Sequence, residues 1–265
     1  MYSSLQLAKK YIHYYFTASN GKGHGIHSPF VFDFIKNVLN DKKKYSSYQT
    51  IEKIRNNLLQ DKKVIDVEDF GAGSAVIPIN KRIVKDIAAS SPKPKKFAQL
   101  LFRIVKYYRS QVIVELGTSF GITSAYLAAA NKSSQLYTME GSENIASIAA
   151  TNFRNLGLQN IKLIKGNFDE RFPELLAQLS HIDLAFIDGN HRKVPTLNYF
   201  DQLLKKISEN SILIFDDIHW SAEMEAAWKQ IQQHNAVTLS IDLFFIGIVF
   251  FKKDFKVKQH FVIRF

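Results

Sequence analysis

The run Val112-Ile113-Val114-Glu115-Leu116-Gly117-Thr118-Ser119-Phe120-Gly121-Ile122-Thr123 constrains this chain more than any other stretch. Five residues of nearly continuous apolar strand enter a glycine turn, and the turn opens a helix over Ser124 to Ala130. A strand without polar alternation belongs inside a parallel sheet covered on both faces. Gly117 and Gly121 remove side chains where a ligand must approach the backbone. The helix that follows aims its unpaired N-terminal amides the same way. The pattern is a cofactor-binding turn.

Twenty-five residues after Glu115, Leu136-Tyr137-Thr138-Met139-Glu140 reads as a second strand ending in a carboxylate, followed by Gly141. A doubly wound fold holds a ribose diol at such a place. The turn is Gly-x-x-x-Gly rather than Gly-x-Gly-x-x-Gly, which disfavours nicotinamide. Glu-x-Gly-x-x-x-Gly with an acidic strand end resembles the class I S-adenosylmethionine (SAM) methyltransferases, over roughly residues 96 to 251. The resemblance implies SAM as cofactor. Glu115 would lie near its methionine ammonium, or else cap the turn amides. Gly117, Thr118, Ser119, Gly121 and Thr123 would form the turn beneath it, and Glu140 with Gly141 would hold its ribose. Asn167 and Phe168, in the run Gly166-Asn167-Phe168-Asp169 at a third strand end, would contact adenine.

The rest of the chain supports an α/β fold. Strands at 112 to 116, 135 to 139, 161 to 165, 182 to 187 and 211 to 215 alternate with helices at 121 to 130, 142 to 156, 170 to 179, 195 to 207 and 221 to 234, a βαβ series. The runs Thr238 to Phe244, Ile246 to Phe251 and His260 to Phe265 follow without crossover helices, so antiparallel pairing is expected there. The predicted fold is a doubly wound, mostly parallel, Rossmann-like sheet with antiparallel C-terminal strands and a mainly helical N-terminal extension. Residues 1–95 are read as that basic extension or lid and 96–265 as the SAM-binding domain.

In the extension, helices are expected over 5 to 16, 29 to 39, 50 to 59 and 81 to 89, with another over 97 to 108. Tyr11, Tyr14 and Tyr15 read as helix packing, and Phe244, Phe245, Phe250 and Phe251 as sheet core. A second glycine motif, Phe70-Gly71-Ala72-Gly73-Ser74, is rejected as the main site because Pro78 stands where its helix should be under way. His24-Gly25-Ile26-His27 reads as a loop that either closes over substrate or is simply anchored by Phe30.

A second constellation lies at Asp188-Gly189-Asn190-His191 and Asp216-Asp217-Ile218-His219-Trp220, each after an apolar strand. Carboxyl ends of neighbouring strands face one crevice in an open α/β sheet. Asp188, Asp216 and Asp217 gathered there would repel one another unless a cation neutralises them, and Mg²⁺ is the simplest hard ion for oxygen ligands. The arrangement resembles the metal-assisted O-methyltransferases of the catechol and macrolide-sugar type. His191 stands where the catechol enzymes place a lysine base, and Asp217 where they have an asparagine. The expected catalytic pair is therefore His191, as general base, with Asp188. The competing reading leaves the metal out and gives Asp188 and His191 to the cofactor. His219 and Trp220 either line the acceptor pocket or begin the next helix.

Composition closes off several alternatives. With no cysteine, thiolate metal sites and cysteine nucleophiles are excluded. No apolar run is long enough to span a membrane, and no signal segment is visible, so a cytoplasmic protein is expected. The formal net charge of +11 is uneven: residues 1–110 hold 20 Lys+Arg against 8 Asp+Glu. Such asymmetry suits an anionic acceptor, a nucleic acid or an anionic lipid surface, or is a solvated face. The predicted function is methyl transfer from SAM to a hydroxyl of a small-molecule acceptor, in a chain that could pair as a homodimer. The alternatives are an RNA methyltransferase using the basic half, without the Pro-Pro-Tyr-like loop of base-amino enzymes, and a SAM-binding regulatory protein without turnover.

Overall fold

The computed structural model describes residues 1–68, 80–91 and 93–265. The Gly71–Ser74 motif and Pro78 lie outside the described residues. The chain divides into two compact units, Lys42–Gln178 and Met1–Asp41 with Leu179–Phe265.

The unit of residues 42–178 is built on three parallel strands, β3 (Val112–Leu116), β4 (Gln135–Glu140) and β5 (Ile161–Lys165), paired in that order. β3 is almost wholly buried, as its unbroken apolar run requires. β5 carries exposed Lys162 and Lys165 along its length. Helix α5 (Lys95–Tyr108) buries Phe97, Ala98, Leu100, Leu101, Ile104 and Val105. α6 (Ile122–Ala130) is buried on nearly every side, which its Ala-rich, uncharged sequence permits. α7 (Glu143–Asn155) and α8 (Phe168–Gln178) complete the alternation.

Helix α3 (Ser46–Gln60) also belongs to this unit, and its Glu52 accepts a hydrogen bond from the hydroxyl of Tyr126 at 2.8 Å. The structure corrects one expectation nearby. Residues 81 to 89 are not a single helix: β2 (Asn80–Ile83) pairs antiparallel with β1 (Val64–Val67), and α4 (Val84–Ser90) starts only afterwards. Pairing Val64 with Ile83 satisfies backbone groups that helix formation would otherwise have used.

The other unit orders its strands β10 (Gln259–Val262), β8 (Leu239–Asp242), β9 (Ile246–Phe250), β7 (Ile212–Asp216) and β6 (Leu184–Ile187). β6 and β7 are parallel and wholly buried. β9 runs antiparallel to both β7 and β8. β10 departs from the expected antiparallel pairing: it pairs with β8 in parallel, because the segment after Phe250 carries the chain past β9. Helices α9 (Lys193–Leu203) and α10 (Ala222–Gln233) sit in this unit with α1 (Ser4–Thr17) and α2 (Pro29–Phe34), which continues into a wider π-helical turn over Ile35–Leu39.

α1 begins with a capping box, Ser3 and Gln6 exchanging hydrogen bonds. Its Tyr11 and Tyr14 pack on Phe244 with ring centroids 5.1 and 5.2 Å away. Phe30 packs edge-on against Phe250 and Phe255, anchoring the loop before it. His24 and His27 of that loop are exposed. Among the described residues no helix is long and apolar enough to cross a membrane.

Candidate active site

At the C-terminal end of β3 the backbone turns through left-handed conformations at Gly117 (φ 104°), Ser119 (φ 49°) and Gly121 (φ 78°). The amides of Gly117 and Thr118 donate to the carbonyl of Met139 at 3.1 and 2.9 Å, which lays the turn across the end of β4. Glycine at 121 is required twice over. A Cβ there would lie 2.4 Å from the Phe153 ring, and the positive φ strains any other residue.

Glu115 is completely buried. Its Oε2 accepts from the hydroxyls of Ser124 and Thr138, the latter at 2.6 Å, and the Thr118 hydroxyl lies 2.6 Å from that of Thr138. Burial pushes the carboxyl up to about 7, the two hydroxyls pull it back, and the nearby charge of Glu140 adds to the rise. A carboxyl so placed titrates close to neutral pH. Its Oε1 and the hydroxyl of Ser119 are buried without a protein partner. Orphaned polar atoms beside a glycine turn are what a polar ligand would satisfy.

Glu140 ends β4 half-buried. It accepts the amide of Ser119 at 2.8 Å on one oxygen and that of Ser142 at 3.0 Å on the other, around Gly141. Beside it the amide of Gly166 donates to the Glu140 carbonyl at 2.9 Å, so Asn167 and Phe168 follow at the next strand end. The Asn167 side chain accepts the Asp169 amide at 3.0 Å and opens α8. Thr118 and Thr123 are buried, Thr123 in the first turn of α6. Ten predicted cofactor residues thus lie at three adjacent strand ends. Sequence reasoning missed Ser124 and Thr138; their signal was position, one in the first turn after the glycines and one two residues before Glu140.

In the other unit, Asp188 follows β6 and Asp216 is the last residue of β7. The donor atoms of Asp188, His191 and Asp216 all lie within 4.8 Å of one another. His191 Nε2 is 3.6 Å from Asp188 Oδ1. Asp216 is fully buried, while Asp188 and His191 are half-buried. Two carboxylates and an imidazole at this spacing fit a divalent ion, with the imidazole widening the choice from Mg²⁺ toward Mn²⁺ and Zn²⁺. Asp217 stands outside that trio. Its backbone is left-handed (φ 52°), and its amide donates to the Phe245 carbonyl at 2.7 Å.

His219 is held from both sides. Its Nδ1 lies 3.0 Å from Glu225 Oε1 and its Nε2 2.8 Å from Asp242 Oδ2, with the ring stacked on Phe244. Burial disfavours the imidazolium, but the two carboxylates outweigh it and raise the pKa. Trp228 Nε1 donates to the same Asp242 oxygen at 3.2 Å. The Trp220 carbonyl accepts the Tyr2 amide. His219 is thereby a structural imidazole, its two nitrogens already engaged.

A methyltransferase-domain family model matches residues 114–218, from inside β3 to just past β7. Over those residues the chain is similar to a methyltransferase domain. A protein-L-isoaspartate O-methyltransferase of Thermosipho melanesiensis is 26% identical over 207 residues, covering 74% of this chain and 94% of its own. Two solved structures share the fold. The O-methyltransferase of Bacillus cereus, in complex with SAH, has a TM-score of 0.54 at 18% identity, covering 80% of this chain and 93% of that one. TomG of Streptomyces achromogenes, an O-methyltransferase in complex with SAM, has a TM-score of 0.55 at 15% identity, covering 79% and 91%. The fold is the mostly parallel, Rossmann-like one of class I methyltransferases, with N-terminal helices and antiparallel strands toward the C terminus.

Proposed function

We propose that this methyltransferase binds SAM at the ends of β3, β4 and β5 and transfers its methyl group to a hydroxyl oxygen of a small acceptor, with a divalent ion held by Asp188, His191 and Asp216. The carrying observation is the convergence of those three donors within 4.8 Å. SAM is supported by the orphaned Ser119 hydroxyl and Glu115 oxygen, by Glu140 beside them, and by the SAH and SAM in the two neighbours. Oxygen as the acceptor atom is supported by the three proteins described above, each named an O-methyltransferase.

The donor trio favours a hydroxyl over a carboxylate acceptor, although the Thermosipho relative is an isoaspartate enzyme. A carboxylate is already ionised at neutral pH and needs no help to lose a proton, whereas a hydroxyl does. When bound, the ion would lower the acceptor's pKa and orient its oxygen. Asp216, buried, would supply one carboxylate oxygen to the ion, and the half-buried Asp188 a second. His191 either completes the ligand set or takes the acceptor proton. The Ser119 hydroxyl and Glu140 hold the donor still, so that transfer proceeds largely by positioning.

The test is methyl transfer from labelled SAM into an acceptor pool, with Mg²⁺ or Mn²⁺ and with chelator, for the wild type and Asp216→Asn. Turnover should fall at least about tenfold with chelator and in the variant, while SAM binding persists. Full turnover in chelator would remove the ion from the account and leave a metal-free transferase.

A further inference from the structure

Helix α1 is apolar on two opposite faces, and only one is accounted for. Leu7, Tyr11, Tyr14 and Ala18 face inward, around Phe244. On the other side Leu5, Ile12 and Phe16 recur at the seven- and four-residue spacing of a single helical stripe and are 67%, 56% and 77% exposed. Ala8 and Tyr15 widen that stripe along one margin, both exposed. Large apolar side chains scattered over a surface need no explanation, but a continuous stripe marks a contact.

The surroundings of the stripe say what kind. Lys9 and His13 line one margin, both exposed. On the other margin the Arg264 guanidinium lies over the Tyr15 ring, 4.4 Å from its centroid. No Asp or Glu occurs among residues 1–32, while residues 252–265 add Lys252, Lys253, Lys256, Lys258 and Arg264 against Asp254 alone. Strand β10, within that second segment, is tied to the end of α1 by the Ser19–Ile263 bridge. The Glu225 carboxylate, which reaches α1, is engaged by Lys10 at 2.9 Å and by the Tyr2 hydroxyl at 2.7 Å, away from the stripe.

A second copy of the chain is a poor complement to such a face. Two-fold packing of α1 on itself would bring the cationic margins together, with no acid on the helix to offset them. An apolar stripe edged by cations matches instead the boundary between anionic headgroups and acyl chains. We infer that α1 docks this protein on an anionic lipid surface, inserting Leu5, Ile12 and Phe16 while Lys9 and Arg264 meet the headgroups. The docking is peripheral, and an acceptor dissolved in or delivered at the bilayer would reach the enzyme there.

The experiment is co-sedimentation of the full chain with unilamellar vesicles of phosphatidylcholine, alone or mixed with phosphatidylglycerol, beside sedimentation velocity without lipid. Partition into the anionic vesicles should exceed that into neutral ones at least tenfold and weaken as salt is raised, since the headgroup attraction is screened. The pair Ile12→Ser/Phe16→Ser should lower it at least tenfold at an unchanged melting temperature, because both side chains are exposed. Lys9→Glu should weaken it with the stripe intact. Absence of binding to anionic vesicles, equal binding to neutral ones, or unaltered binding by the double variant would overturn the inference. So would a dimer in solution that the double variant splits while vesicles leave the wild type in the supernatant.

Discussion

Glu140, at the end of β4, accepts the backbone amide of Ser119 at 2.8 Å, so the acid read as a ribose ligand also fixes the glycine turn that would lie beneath the cofactor. The two features that suggested a methyltransferase are thus one mechanical unit. Neutralising this carboxylate would weaken its hold on the turn and, if it also binds the ribose, its hold on the cofactor.

Glu140→Gln is therefore expected to weaken SAM binding roughly tenfold to hundredfold, the worth of a hydrogen bond to a charged group. Calorimetric titration measures the affinity, and the melting temperature without cofactor should move only a few degrees. Undiminished affinity in the variant would take Glu140 out of the site.

Glu115 predicts a pH dependence. Its carboxyl is pushed from the usual carboxylate range up to about 7 by burial. Between pH 4.5 and 7 the folded chain then binds the proton that the unfolded chain has released, so this group's contribution to stability falls as pH rises through that window. The full cost is present above the folded pKa and amounts to roughly 3 kcal/mol. Glu115→Gln, which keeps the shape and stays neutral, should remove that slope. Melting temperatures of both proteins at pH 5 and pH 8, without cofactor, give the comparison; parallel curves would show that Glu115 titrates normally.

Gly121→Ala is expected to cost about 2–4 kcal/mol, combining a left-handed residue with a Cβ driven into Phe153. Trimming the ring in Phe153→Leu should recover part of that loss. Chemical denaturation of the three variants reads the coupling, and strict additivity would mean that the two residues do not meet.

His219→Ala should destabilise the fold by about 2–4 kcal/mol, since it leaves the buried Asp242 carboxylate without its imidazole partner. SAM affinity should stay within about threefold of the wild type, well inside the tenfold worth of 1.4 kcal/mol. A variant of normal stability that loses turnover would return His219 to the acceptor pocket.

Much of this was legible in the sequence because parallel strands advertise themselves. Val112–Leu116 and Ile212–Asp216 are short apolar runs closed by turn residues, and the structure begins and ends their strands within one residue of the reading. The Gly117–Gly121 turn was legible because left-handed backbone selects glycine. The β1–β2 hairpin was not: Asp66, Lys81 and Arg82 give no apolar alternation, and Val64 meets Ile83 only through pairing distant in sequence. Nor was the role of His219, whose partners Glu225 and Asp242 come from α10 and β8. Asp216 and Asp217 look equivalent as adjacent letters. The turn at Asp217, a non-glycine residue in a left-handed conformation, separates it from Asp188 and His191 in a way that no residue pattern announces.

The most direct test of the central claim is calorimetric titration of the purified protein with SAM. One site of micromolar affinity, lost or strongly weakened in Glu140→Gln, is the predicted result. Absence of measurable binding by a folded wild-type protein would contradict it and return the glycine turn to a structural role.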